Sequence, residues 1–215
     1  MNNKTISNGW IDNKLFPESQ NIFDNRFIFL DELNIIVNQP NLWPIWQTSN
    51  SDKIQTPNYS EISEKEIFDF LNKNAEFEHI PAWRLFPIIY NKNVVSYNSK
   101  YIPKTLSFLM QYSDRILTAA FSKLDSGNKI RLHKDSNDSF YRIHIPLIIP
   151  SNNDNKKGEF LTESEIEENL AVLRLDDDYR IWKSDKFFII DDTHMHSAWN
   201  NTQEDRIVLL IDFLK

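Results

Sequence analysis

The stretch KFFIIDDTHMHSAWNNTQEDRIVLLIDF, residues 186–213, decides which fold this chain adopts. Its two ends, KFFIID and RIVLLIDF, are short apolar runs rich in β-branched and aromatic residues, a composition typical of buried β-strands. The segment between them is polar and contains two histidines. We therefore predict that residues 186–213 form two strands of a sheet, joined by a segment that carries candidate functional residues.

The same strand pattern extends back along the chain to residue 116. Four further apolar runs, ILTAAFSKL, FYRIHIPLII, LAVLRL and YRIW, are separated by turn-forming sequences such as DSGN and DDD. Before residue 116 the period is different, because ISEKEIFDFLNKN (62–74) and IPKTLSFLMQY (102–112) show the helical spacing of apolar residues. Ser63 is a candidate N-cap of the first helix, and Pro103 fits the first turn of the second.

The order of these elements predicts a mainly β fold with flanking helices. Two or three helices followed by about seven or eight short strands are typical of a β-sandwich or jelly roll. A chain of 215 residues has the length of one domain, and we expect residues 1–215 to form a single domain. Within it we expect a helix-rich flanking part over residues 1–115 and a β-rich, metal-binding core over residues 116–215.

The composition excludes several classes of site. Cysteine is absent, which removes disulfides, thiolate metal sites and cysteine nucleophiles, so a bound metal must use His, Asp or Glu. Only 3 glycines are present, too few for the glycine-rich loops that cradle nucleotides. The net charge of −7 argues against nucleic acid or an anionic membrane as a partner. No apolar run resembles a signal peptide or a membrane span, so we expect a cytoplasmic protein with a small-molecule substrate.

Histidines are concentrated in the β-rich half of the chain. His133 and Asp135 form a His-x-Asp pair, whose side chains point the same way on an extended segment and can share one cation. A third ligand would come from the segment between the last two strands, where either His194 or His196 could serve. Two histidines and one carboxylate on one face of a metal are the ligand set of oxygen-activating non-haem iron.

Two arginines of the same half are candidates for binding an acidic ligand. Arg142 follows the His-x-Asp pair, and Arg206 opens the last apolar run. A guanidinium binds a carboxylate through two parallel hydrogen bonds, so an inward arginine suits such a ligand. The alternative is a solvated arginine at a strand end, which is less favoured for Arg206 because a buried run follows it.

Three ordered blocks of the sequence resemble the aspartyl/asparaginyl β-hydroxylases, a family of Fe(II)- and 2-oxoglutarate-dependent oxygenases. The blocks are FSKLDSGNKIRLHKD, RIHIPL and FFIIDDTHMHSAWNNTQEDRIVLLIDF, and the resemblance covers roughly residues 83–213. It implies a double-stranded β-helix, the jelly roll that is also found in cupins. It further implies Fe(II) as the metal, 2-oxoglutarate as the cosubstrate and O2 as the oxidant.

The resemblance also implies a role for individual residues. His133 and His196 match the iron-binding histidines, and Asp135 takes the position of the third ligand, where some family members have glycine. The residues that match the cosubstrate positions are Ser122, Arg142, His144 and Arg206. One departure is the turn KSDK after Trp182, which lacks the usual glycine, so we expect Asp185 to adopt the left-handed conformation there.

The implied activity is hydroxylation of an unactivated C–H bond in an amino acid or in an Asp- or Asn-type residue of a peptide. The branch of the family that acts on free amino acids keeps an aspartate at the position of Asp135. In this respect the chain resembles that branch. The alternative is a cupin-like module that binds a metal without turnover. A carbohydrate-binding sandwich is less favoured, because most tryptophans lie outside the strand-rich half, namely Trp10, Trp43, Trp46 and Trp83.

Overall fold

Two antiparallel sheets form this protein, whose structure is a computed structural model that describes residues 9–48, 82–166 and 168–215. The strands are β1 (Trp10–Ile11), β2 (Ile45–Thr48), β3 (Ala82–Tyr90), β4 (Asn93–Val94), β5 (Ile116–Leu124), β6 (Lys129–His133), β7 (Phe140–Ile148), β8 (Ala171–Leu175), β9 (Asp178–Ile181), β10 (Phe188–Ile190), β11 (His196–Asn200) and β12 (Arg206–Leu214). The described helices are α1 (Pro17–Asp24), α2 (Phe27–Ile36), α3 (Ser96–Ser99), α4 (Pro103–Leu109) and α5 (Ser151–Asn155). Short 3-10 turns lie at Asn13–Leu15, Pro40–Leu42 and Met110–Tyr112.

The strand order confirms the predicted fold class. The larger sheet has the order β1-β10-β7-β12-β5-β3-β2, with β4 paired to β3, and the smaller sheet has the order β6-β11-β8-β9. From β5 onward, β5, β7, β10 and β12 lie in the larger sheet, whereas β6, β8, β9 and β11 lie in the smaller one. Eight strands divided in this way between two antiparallel sheets form a jelly roll, the double-stranded β-helix.

The larger sheet also includes residues that precede position 116. Strand β3 pairs with β5 from Trp83 opposite Leu124 to Ile89 opposite Ala119, and β2 extends the sheet beyond it. The register shifts next to Pro87, which has no N–H to donate to the ladder. The helix-rich flanking part expected over residues 1–115 therefore also supplies strands to the larger sheet.

The helices agree with the sequence in part. Helix α4 begins at Pro103, as expected, and buries Leu109. The helical spacing also predicts an inward side chain at Met110, which is wrong, because Met110 is 41% exposed. Helix α2 corresponds to the apolar run FIFLDELNII, for which we predicted no helix. The helix predicted over residues 62–74, with its cap at Ser63, lies outside the described residues. Within the described ranges, every helix is too short or too polar to cross a membrane.

The turn after Trp182 differs from the expectation. Asp185 is not among the described residues with positive φ, so the predicted left-handed conformation is wrong. Instead Lys183 and Lys186 pair across the turn as an isolated bridge. The ammonium of Lys183 is buried and donates to main-chain carbonyl oxygens at the C-terminal end of helix α5, those of Asn153, Asp154 and Lys156. These bonds tie the turn to the helix without a left-handed residue.

Strand β5 has two buried faces with different partners. Phe121 and Ala119 belong to the apolar cluster that the larger sheet forms with helices α1, α2 and α4. Ser122 and Ala120 point to the opposite face, because side chains alternate along a strand, and they line cavities there. The same strand therefore anchors the helical layer and contributes side chains to the candidate site.

The packing of Phe121 gives a testable expectation for stability. Its side chain is fully buried between the larger sheet and the helices. Phe121→Ala should lower the free energy of unfolding by about 3–5 kcal/mol, because it leaves a cavity in a close-packed core. Phe121→Leu keeps most of the volume and should cost about 1 kcal/mol. Urea denaturation measures both values, and equal losses in the two variants would contradict this view of the core.

Candidate functional site

Two histidines meet across neighbouring strands of the smaller sheet. His133 ends β6 and His196 begins β11, and they are direct partners in the antiparallel register, with ring centroids 4.1 Å apart. The His133 Nδ1 lies 2.7 Å from the Arg131 carbonyl oxygen, and the His196 Nδ1 lies 2.9 Å from the His194 carbonyl oxygen. A carbonyl oxygen only accepts, so each ring carries its proton on Nδ1. Both Nε2 lone pairs are thereby left for a metal ion.

The protonation state of His196 also suits a metal ligand. The residue is 6% exposed, and burial, followed by the influence of His133, lowers its pKa to about 4. The imidazole is therefore neutral at physiological pH. A histidine binds a metal only in its neutral form, so no proton has to be displaced from Nε2 of His196.

Asp135 lies beside this pair but does not complete a three-ligand group. Within residues 9–48, 82–166 and 168–215, no cluster of three or more His, Cys, Asp or Glu side chains is arranged to hold a metal. The Asp135 carboxylate lies 3.6 Å from the Arg142 guanidinium, and its main-chain N–H donates to the Asp192 carbonyl at 2.8 Å. The structure thus brings the two histidines together and places the expected third ligand against an arginine.

Arg142 is already surrounded by carboxylates of the protein. Asp212 lies directly opposite on β12 and accepts from Nε at 2.7 Å and from Nη2 at 3.2 Å, while Asp192 contacts Nη1. Burial alone would lower the pKa of Arg142, but Asp192, Asp212 and Asp135 outweigh burial and raise this pKa above its usual value. Because carboxylates of the protein already contact the Arg142 guanidinium, its N–H donors are not available for the two parallel hydrogen bonds that we expected it to make with a cosubstrate.

Arg206 is in the opposite situation. It is 1% exposed at the start of β12, and its guanidinium stacks over the Trp182 ring at 4.4 Å. No carboxylate in the described part of the chain pairs with it, and its Nε has no hydrogen-bond partner there. Burial lowers the pKa of Arg206 to about 9, so the group is still a cation at neutral pH. A buried cation without a counter-ion is costly, and an anionic ligand would remove that cost.

Ser122 and His144 line the same cavity as Arg206. Ser122 Oγ accepts from Trp83 Nε1 at 2.9 Å, which leaves its own O–H to donate. Both ring nitrogens of His144 are buried without a partner in the described residues. Burial, and then the charges of Arg206 and Arg142, hold the pKa of His144 well below its usual value. The ring is therefore neutral and keeps one N–H to donate.

Ser122, His144 and Arg206 line one cavity inside the fold. The two candidate metal-binding histidines form another part of its wall. A ligand with an acidic group at each end would meet the unpaired donors of Arg206, Ser122 and His144 inside this cavity. The donor set therefore fits 2-oxoglutarate, and the histidine pair fits Fe(II), the two groups that the resemblance implies.

A wider cleft adjoins this cavity and borders His133 and Asp135. Its floor consists of apolar side chains from β3, β5 and β12, namely Leu85, Pro87, Ala120 and Leu210. Its rim is polar and includes Asn91, Lys134 and Asn137. The cleft reaches His133, a candidate metal ligand, from outside, which makes it the candidate binding surface for a substrate.

Sequence reasoning missed the part that Trp83 and Asp176 play in the site. Trp83 was placed outside the strand-rich half, yet it lies on β3, lines the cavity and donates to Ser122. The aromatic and β-branched residues of AWRLFPIIY are the strand signal that would have found it. Asp176 lies 2.6 Å from Nδ1 of His194. This contact distinguishes His194 from His196, which lines the cavity. No pattern in the sequence pointed to this pair.

Comparisons with known proteins agree with the resemblance. The chain is 32% identical over 118 residues to an ornithine lipid ester-linked acyl 2-hydroxylase of Rhizobium tropici, a match that covers 55% of this chain and 36% of that protein. The matched part thus spans about a third of the length of this relative.

Solved structures with related shapes have low similarity scores. An oxidoreductase of the 2OG-Fe(II) oxygenase family from Burkholderia pseudomallei has a TM-score of 0.42 and 13% identity, covering 61% of this chain and 68% of its own. A cupin 2 conserved barrel domain protein from Salinispora arenicola has a TM-score of 0.36 and 10% identity, covering 77% and 91%. The family model for aspartyl/asparaginyl β-hydroxylase matches residues 32–215. Because that match spans most of the sequence, this chain belongs to the aspartyl/asparaginyl β-hydroxylase family.

Proposed function

We propose that this protein is an Fe(II)- and 2-oxoglutarate-dependent hydroxylase. The observation that carries the proposal is the buried guanidinium of Arg206, which has no carboxylate partner in the described residues and shares a cavity with two imidazoles. Both imidazoles have an Nε2 that is free for a metal. An anion site and a metal site in one cavity suit a cosubstrate that binds both. Membership of a hydroxylase family supports the same reaction class.

His133 and His196 are the proposed protein ligands of Fe(II), with Asp135 as the proposed third ligand. When bound, Fe(II) activates O2 and couples the decarboxylation of 2-oxoglutarate to succinate with the hydroxylation of a C–H bond. Arg206 and Ser122 would hold the far carboxylate of 2-oxoglutarate through charge-assisted and hydroxyl hydrogen bonds.

Two further residues of the proposed cosubstrate site have different tasks. His144 would donate its one N–H to the bound acid. Arg142 borders the same cavity, but Asp212 and Asp192 contact its guanidinium N–H groups. It would therefore act on the cosubstrate mainly through its charge. The apolar walls of the cavity exclude water, which strengthens each of these electrostatic contacts.

The substrate that we propose first is an amino acid or an Asp- or Asn-type residue of a peptide. A second candidate is the acyl chain of an amino-acid-containing lipid, because the relative in Rhizobium tropici is an acyl hydroxylase. The apolar floor of the outer cleft, formed by β3, β5 and β12, favours a substrate with an apolar segment. Either candidate would enter through this cleft, which borders His133.

A cupin-like module that binds a metal without turnover is the competing function. Such a module has no use for an unpaired arginine buried beside its metal, whereas a 2-oxoglutarate enzyme does. The two are separated by mixing the protein anaerobically with Fe(II) and 2-oxoglutarate. A weak visible absorption band that needs both components supports the enzyme, and its absence supports the metal-binding module.

The histidine pair gives the first prediction of activity. His133→Ala and His196→Ala should each abolish the iron-dependent conversion of 2-oxoglutarate to succinate, because each variant removes one of the two imidazoles that meet between β6 and β11. Succinate formation is measured with Fe(II), ascorbate and O2. Leu132→Ala is the matched control, since Leu132 neighbours His133 but is 46% exposed. Near-normal turnover in either histidine variant would refute the ligand assignment.

Arg206 gives a second prediction, with two independent readouts. Arg206→Met should raise the KM for 2-oxoglutarate about 10- to 100-fold, because a charge-assisted hydrogen bond contributes about 1.5–3 kcal/mol. The ligand-free variant should unfold at a temperature no lower than the wild type, because a buried cation without a counter-ion is removed. Arg115→Met is the control, since Arg115 pairs with Glu18 outside the cavity. An unchanged KM would disprove the assignment of Arg206.

The substrate is tested by screening for stimulated succinate formation. Free amino acids, Asp- and Asn-containing peptides and N-acylated or O-acylated amino-acid lipids form the three arms, with mass spectrometry for the gain of one oxygen atom. We expect at least one arm to couple succinate formation to that gain. Stimulation only by the lipid arm would reject the amino acid and peptide substrates. Succinate formation without an oxidised product in any arm would reject all three substrate classes.

A further inference from the structure

One carboxylate next to the histidine pair has all of its polar groups engaged. Asp176 is the first residue of the turn between β8 and β9, with φ of 51°, in the left-handed region. Its N–H donates to the Met195 carbonyl at 2.7 Å, and its own carbonyl accepts from Arg174 Nε at 2.6 Å. One carboxylate oxygen accepts the Met195 N–H at 3.2 Å, and the other lies 2.6 Å from His194 Nδ1. Asp176 therefore holds the two residues that immediately precede His196.

The residue that Asp176 holds is the one that orients the metal-site imidazole. The His194 carbonyl accepts from His196 Nδ1 at 2.9 Å, the bond that leaves His196 Nε2 free. The His194 ring is also confined by Gly9, where an added Cβ would lie 2.9 Å from His194 Cγ. Leu175, the neighbour of Asp176, is the register partner of His196 between β8 and β11. Direct contacts thus connect Asp176 to His194, and His194 to His196.

We propose that Asp176 is a positioning residue for the metal site and acts on His196 through His194 and Met195. By holding this segment, it sets the direction of the His194 carbonyl and with it the tautomer of His196. Partners of this kind around ligating histidines change metal affinity by about 10- to 100-fold. The inference rests on the proposed function, since it takes His196 to be a metal ligand. It also gives His194, the other candidate ligand of the sequence, a separate task.

Three substitutions in one turn separate this role from a merely structural one. Asp176→Gly removes the carboxylate but tolerates the positive φ at no steric cost. Asp176→Asn keeps the shape, one side-chain oxygen and a tolerance for the left-handed region. Asp177→Gly is the matched control, because Asp177 lies in the same turn with a side chain that is 98% exposed.

The first measurement is the affinity of the full chain for Mn(II), taken from the EPR signal of the free ion. Asp176→Gly should weaken Mn(II) binding about tenfold, and Asp176→Asn should restore it to within about threefold of the wild type. Asp177→Gly should bind Mn(II) like the wild type. A nitrogen-15 NMR spectrum of the metal-free protein provides the second readout. His196 should carry its proton on Nδ1 in the wild type and in Asp177→Gly, and should show a mixture of tautomers in Asp176→Gly.

The outcomes decide the inference separately from the proposed function. Mn(II) affinity within about twofold of the wild type, together with an unchanged His196 tautomer in Asp176→Gly, would overturn the positioning role. If Asp176→Gly does not fold by circular dichroism, His194→Ala replaces it, and unchanged Mn(II) binding there would likewise overturn it. A wild type that binds no Mn(II) contradicts the proposed function instead, while the tautomer of His196 still tests the link to Asp176.

Discussion

The register between β6 and β11 is the constraint on which the candidate site depends. It sets His133 directly opposite His196, and a register shift follows between His196 and Ala198, next to the site. Bulges of this kind often redirect side chains beside active sites. A slip of one residue would turn an imidazole to the other face of the sheet, because side chains alternate along a strand. The pairing of β11 with β8 on its other side holds this register, and it also brings the turn at Asp176 next to the start of β11.

The partly buried Arg142 and the fully buried Arg206 show how charge balance assigns different tasks to the same side chain. Arg142 lies opposite Asp212 and contacts Asp192, so the protein itself neutralises it, and burial costs it little. Arg206 stacks on Trp182 without a carboxylate partner in the described residues, so its charge is left for a ligand. The first arginine ties β7, β12 and the segment after β10 together. The second leaves an unbalanced positive charge in the cavity wall, which is why it carries the proposed use of 2-oxoglutarate.

The candidate site has two regions of different character. The inner cavity has mostly apolar walls, from which Arg206, Ser122 and His144 supply donors beside the histidine pair. The outer cleft has an apolar floor and a polar rim. This division follows from the jelly roll, whose larger sheet extends past the smaller one through β3, so that inner faces of β3 and β5 continue outside the cavity. The proposed cosubstrate and the proposed substrate would therefore contact different residues of the same sheet.

Local pattern was enough to predict most of the strands from Ile116 onward and the helix at Pro103, because alternation is a property of adjacent positions. It missed β6 and β11, the two short strands that carry His133 and His196, and it suggested Ser122 and His144 only through the family resemblance. It did not predict β3, where Pro87 interrupts the strand pattern, nor distinguish His194 from His196 without the family resemblance. Contacts between residues far apart in the chain decide which arginine lacks a carboxylate partner. They also decide where the Asp135 side chain points and which residues Asp176 contacts. Only the packed sheets bring those groups within hydrogen-bond distance, so tertiary structure alone decided them.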